Sequence, residues 1–142
     1  MQPKLLLRIA AVLMLMHTIG HMYGALGHSL PPDPKLAAII SGMQTEHFNF
    51  MGRSASLGLF FTGYGMTIIF VLLLIAVQLW ILSARPSRPI AVILGLYLIT
   101  QAVIEYIYFF PMAAAISLAA AVLTLLAGGT VHIRRMGTEA VG

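Results

Sequence analysis

Two histidines, His17 and His21, stand four residues apart in one apolar stretch, and a lone carboxylate, Glu105, stands in another. An imidazole and a carboxyl brought together away from water can share a proton, anchor a polar ligand or, with a third donor, hold a divalent metal. Ionisable groups at the centre of a bilayer-spanning helix cost about 2.5–3.5 kcal/mol each on insertion scales, so where they occur they mark working sites. The elements that carry them therefore decide what chemistry is open.

The chain has 142 residues, 60% hydrophobic and 8% charged, where a soluble domain carries about 25% charged residues. Mean hydropathy is +0.96. Four spans of about 20 residues with short connections use nearly the whole length, and no separate soluble catalytic domain fits beside them. Cysteine is absent, which excludes disulfides, thiolate metal sites and thiol nucleophiles. The isoelectric point near 9.9 does not indicate nucleic acid, because the basic residues are scattered at span ends and form no stripe.

The fold expected is all-α, a four-transmembrane-helix bundle with spans at about 5–27, 55–83, 90–110 and 112–133, forming one integral membrane domain. The segment Arg85-Pro86-Ser87-Arg88-Pro89 is a tight basic turn, and Pro111 opens the last span, since proline stops one helix and is tolerated in the first turn of the next. A signal-peptide reading, with cleavage after Ala25-Leu26-Gly27, competes with the first span. Lys4, Arg8, Arg85, Arg88, Arg134 and Arg135 fall on one side and only Lys35 and Arg53 on the other. The positive-inside rule then puts both termini in the cytoplasm and the protein in a bacterial inner membrane. In the outer loop, Asp33-Pro34 reads as an N-cap with proline at the first helical position. Leu36, Ile39, Ile40 and Met43 follow at amphipathic spacing, so a short surface helix is expected between spans one and two.

At 100° per residue, His17, His21 and His28 lie within about 40° of one another on the first helix. Tyr97, Gln101, Glu105 and Tyr108 make a second polar stripe on the third. Counting back from the outer ends at about 1.5 Å per residue puts His21 level with Glu105 and His17 level with Gln101. Tyr64 on the second span falls near the lower level. The expectation is a polar pocket in the outer leaflet lined by His17, His21, Tyr64, Tyr97, Gln101 and Glu105, with Glu105 and His21 the acid–base pair if a reaction occurs there. Its structural counterpart is a set of interhelical polar contacts, each worth only about 1 kcal/mol. No cofactor is required, and a divalent transition metal on His17, His21 and Glu105, or a haem, stand as alternatives. Gly20 and Gly24 form a GxxxG on the first span, and Gly58, Gly63 and Gly65 thin the outer part of the second, so close packing of these two backbones is expected.

His17-Thr-Ile-Gly20-His21, Phe60-Phe61-Thr-Gly63-Tyr64-Gly65, Gln78-Leu-Trp80 and Tyr108-Phe-Phe110 together resemble a group of small uncharacterised bacterial four-helix integral membrane proteins. The resemblance covers most of the chain and implies fold and membrane location, with no reaction attached. Three functions stay open at this point. One is binding of a hydrophobic or amphipathic small molecule, and another is acid–base catalysis on a lipid-like substrate (isomerisation, cyclisation or epoxide chemistry). The third is a structural or assembly role, as a homo-oligomer or beside another membrane protein. The lipid bilayer is a partner in all three, and nucleic acid in none.

Overall fold

The computed structural model describes residues 2–26 and 33–139; His28 lies outside them. In chain order the elements are α1 (Pro3–Leu26), α2 (Pro34–Thr45), β1 (His47–Phe50), β2 (Arg53–Ser56), α3 (Leu57–Ala84), α4 (Arg88–Tyr108) and α5 (Pro111–Glu139). The fold class is all-α, and α1, α3, α4 and α5 are each long and apolar enough to cross a membrane. Prolines punctuate them as their chemistry requires: Pro89 sits in the first turn of α4 and Pro111 opens α5, positions where a missing N–H costs no helical bond. α5 continues to Glu139, beyond the expected end near 133.

The chain divides into two compact units, Met1–Thr18 with Val71–Gly142, and Ile19–Phe70. The first is a four-helix bundle of α1 up to Thr18, α3 from Val71, α4 and α5. Its core is written in spacings of three and four. α1 buries Leu6, Leu7, Ala10, Ala11, Met14, His17 and Thr18; α4 buries Ala91, Gly95, Leu98, Ala102 and Glu105; α5 buries Ala113, Ala114, Ser117, Ala120, Ala121, Thr124 and Ala127. The small residues set how closely the helices approach, as is usual where lipid supplies no hydrophobic drive between helices. A Cβ at Gly95 would stand 2.5 Å from the Leu125 side chain, and one at Gly128 would stand 3.3 Å from Ala91 Cβ. Away from the core, the Arg8 guanidinium lies 5.1 Å above the Trp80 ring, a cation–π contact tying α1 to α3.

Hydroxyls within the spans are mostly satisfied locally. Thr18 donates to the Met14 carbonyl at 2.8 Å, Thr100 to Leu96 at 3.1 Å and Thr124 to Ala120 at 2.7 Å. Where water is absent, such back-bonding to the preceding turn removes the cost of an unpaired O–H. Ser117 is handled differently, as described below.

The second unit holds the end of α1 from Ile19, α2, the β-hairpin and α3 up to Phe70. α2 is the expected surface helix. Asp33 accepts from the Lys35 N–H at 3.0 Å, Pro34 follows it, and no residue of the helix is buried. The hairpin β1–β2 was not expected. It pairs His47 with Ser56 and Phe50 with Arg53 around a two-residue turn in which both Met51 (φ 51°) and Gly52 (φ +84°) are left-handed. That turn matches the twist of the strands, but its usual Asn-Gly or Asp-Gly signature is missing, which hid it in the sequence. The Asn49 side chain supplies the lost cue by accepting from the Gly52 N–H at 2.9 Å. Phe48 and Phe50 share a face of β1, and both rings meet Phe60 on α3, at centroid distances of 6.2 and 5.3 Å.

Glycine packing in this unit brings α1 and α3 close at Gly65 and not at the GxxxG. A Cβ at Gly20 or at Gly24 would meet nothing within 4 Å among the described residues, so the GxxxG face of α1 is open. The close approach falls one residue further along, where a Cβ at Gly65 of α3 would stand 3.1 Å from Ala25 Cβ.

Candidate functional site

His17 lies on the buried stripe of α1, three residues past Met14, and is 7% exposed. Its position follows from the heptad-like run of Leu7, Ala10 and Met14 before it; the core stripe simply continues into a polar residue. On α4, Tyr97, Gln101 and Glu105 are spaced by four. Each step of four advances about 40° around the helix, so the row rotates inward. Tyr97 is 43% exposed, Gln101 is half-buried and Glu105 is 7% exposed. The polar stripe thus begins on the outside of the bundle and ends in its core.

Where it ends, three helices meet through side chains. Gln101 Nε2 donates to Glu105 Oε1 at 2.8 Å. His17 Nε2 faces the same Oε1 at 3.5 Å. On its other side, His17 Nδ1 is 3.2 Å from the Ser117 hydroxyl of α5. Three arrangements satisfy this line of groups. The Ser117 O–H donates to a bare Nδ1 while Nε2–H points at Glu105, both ring nitrogens are protonated and Ser117 accepts, or Nδ1–H donates to Ser117 while Nε2 accepts from a protonated Glu105. A serine hydroxyl that could have turned back onto its own helix is instead spent on orienting the imidazole, in the manner of partners that fix a histidine's tautomer elsewhere.

The arrangement therefore gathers His17, Gln101 and Glu105 and adds Ser117, which the sequence reading missed. Its signal was weak: one hydroxyl in a run of alanines, on the face shared by Ala113, Ala120, Ala121 and Thr124. The pairing differs from the level counting. Level counting set His21 beside Glu105 and His17 beside Gln101; here His17 approaches Glu105 from α1, and Gln101 is bound along its own helix. Counting from helix ends assumes upright helices with level ends, which packed spans do not have. His21 and Tyr64 belong to the second unit. There His21 is half-buried with its Nε2 closed off and without a hydrogen-bond partner, and Tyr64 is 68% exposed.

Among the described residues, two further buried atoms lack hydrogen-bond partners: Gln101 Oε1 and Glu105 Oε2. A buried polar atom left unpaired costs about 1–3 kcal/mol, so these oxygens are notable in a chain that otherwise back-bonds its hydroxyls. Among the described residues, no group of three His, Asp or Glu side chains is arranged to hold a metal ion. The trio His17, His21 and Glu105 has no such group behind it. Chemically, the site can bind a polar headgroup through its free oxygens or move a proton between imidazole and carboxyl. Comparison of the chain with protein-family models, with curated proteins and with solved structures returns no match.

Proposed function

We propose that this multi-pass protein binds a hydrophobic or amphipathic small molecule within the membrane, with Glu105, Gln101 and His17 as its polar anchors. The observation that carries the reading is the pair of buried, unpartnered oxygens on Glu105 and Gln101, at the inward end of a stripe whose other end, Tyr97, is exposed. A stripe of that kind offers a lipid-like molecule a polar destination and an apolar approach. The protein sits in a bacterial inner membrane with both termini cytoplasmic, as its basic residues distribute, and it resembles the group of small four-helix membrane proteins described above. That orientation puts the site in the outer leaflet.

The direct test is native mass spectrometry of the protein released from membranes in mild detergent, with elemental analysis of the same sample. A retained amphiphile that is lost from Glu105→Ala and His17→Ala supports the reading. Retention unchanged in both variants removes these residues as anchors.

A second reading is acid–base catalysis on a lipid-like substrate, favoured by the facing of His17 Nε2 and Glu105 Oε1 at 3.5 Å. Glu105 is then the proton donor or acceptor and His17, held by Ser117, its partner, in place of His21. Lipid extracts from cells making the wild-type protein or Glu105→Gln distinguish it, since identical profiles leave binding alone.

A further inference from the structure

With Glu105 ionised, the buried atoms of the His17 network left without any partner are both acceptors. One N–H of the Gln101 amide is given to Glu105 Oε1, the Nε2 side of His17 faces that oxygen, and its Nδ1 is engaged with Ser117. The nearby Thr18 hydroxyl is given to the Met14 carbonyl. The buried atoms of this network that lack a partner are Gln101 Oε1 and Glu105 Oε2, and an amide carbonyl or a carboxylate oxygen accepts. Turning the Gln101 amide over does not change the balance, because its oxygen would then oppose the carboxylate oxygen that its N–H now serves.

The group that complements two acceptors is one that brings hydrogens. A ketone, quinone, ester or ether headgroup offers only lone pairs and would leave both oxygens unpaired in a dry site. A hydroxyl-bearing headgroup fits, and the exposed Ile93 and Ile104, which lie within about 40° of Tyr97 around α4, suit a hydrocarbon body lying against the helix. Resting on the binding function proposed above, we infer that the ligand is an amphiphile whose headgroup donates hydrogen bonds through hydroxyls to Glu105 Oε2 and Gln101 Oε1. Recognition is then by the count of donor hydrogens on the headgroup, with the chain length and branching of its tail left to the lipid-facing surface.

The experiment compares 1-monoolein, which has two hydroxyls, with its di-O-methyl ether, which has none and keeps the oxygens and the tail. Each is titrated at equal mole fraction into nanodiscs holding the full chain, and binding is read by thermal stabilisation and by native mass spectrometry. The diol should bind at least about tenfold more tightly, since each donor lost leaves a buried acceptor unpaired. In Gln101→Met the preference should fall by several-fold. The wild-type comparison decides the matter even if that variant does not fold. Equal binding of diol and ether overturns the donor rule while leaving ligand binding intact. Binding of neither, with an amphiphile that carries no hydroxyl retained from native membranes, also overturns the rule alone, whereas a retained hydroxyl-bearing amphiphile supports it. Binding of neither with nothing retained overturns both.

Discussion

Gln101 and His17 converge on a single oxygen of Glu105: the amide nitrogen at 2.8 Å and the imidazole Nε2 at 3.5 Å both face Oε1, and Oε2 is left over. A carboxylate so loaded on one side has its charge drawn toward α1 and its free lone pairs turned elsewhere. This asymmetry underlies the ligand proposal and the first prediction.

Glu105→Gln and Glu105→Leu should part company. The glutamine keeps an acceptor for Gln101 and His17 and should cost under about 1 kcal/mol. The leucine leaves both donors buried and unpaired, at about 1–3 kcal/mol. Denaturation in mixed micelles, followed by helical circular dichroism, measures the gap, and equal stabilities would show that Oε1 is not holding these groups.

The Ser117–His17 contact should be weak in stability and larger in geometry. Ser117→Ala should lose about 0.6–1 kcal/mol, the usual worth of an interhelical hydrogen bond in a membrane. A double-mutant cycle with His17→Ala should return a coupling of that size. The chemical shifts of the His17 ring nitrogens should move in Ser117→Ala, and unmoved shifts would argue that another group sets the tautomer.

Close approach of α4 and α5 depends on Gly95. Gly95→Ala puts a methyl 2.5 Å from Leu125, so it should destabilise by about 1–3 kcal/mol as overpacked cores do. Adding Leu125→Ala should recover part of that loss. A variant as stable as the wild type would mean that the two helices can separate freely there.

In the hairpin, Gly52→Val should be strained because φ is +84°, a region in which β-branched residues are outliers. Met51→Asn should be neutral or stabilising at φ 51°, since asparagine tolerates the left-handed region better. Limited proteolysis at the turn reads both, with faster cutting expected for the valine and no faster cutting for the asparagine.

Orientation can be measured cleanly because the chain has no cysteine. A cysteine at Met51, 90% exposed, should react with a membrane-impermeant maleimide from the periplasmic side of intact cells. One at Ser87 should react only after permeabilisation. The reverse pattern would invert the proposed topology.

The spans were legible because the solvent they face is uniform. A run such as Leu57 to Ala84, with no charged residue, has no alternative to a helix in hydrocarbon. α2 was legible through Asp33-Pro34, a local signal that needs no tertiary knowledge. The hairpin was not, because Met51-Gly52 lacks the polar residue that normally announces such a turn, and because aromatic contacts with Phe60 of the following helix help hold it. The site was legible in part. Glu105, His17 and Gln101 stood out as polar residues where polarity is costly. Which of them meet was not readable, since helix tilt and rotation are set by packing among glycines and alanines that look alike in a sequence. Ser117 was invisible for the same reason: a serine in a span normally bonds its own backbone.

Arg8 over Trp80 gives the molecule an intrinsic optical gauge. The chain contains one tryptophan, so its emission reports a single location: the contact between the start of α1 and the end of α3. Undocking of the first helix strips the cation from the indole and changes that signal while backbone helicity persists. Separation of intact spans can thereby be timed apart from their melting, without attaching a dye.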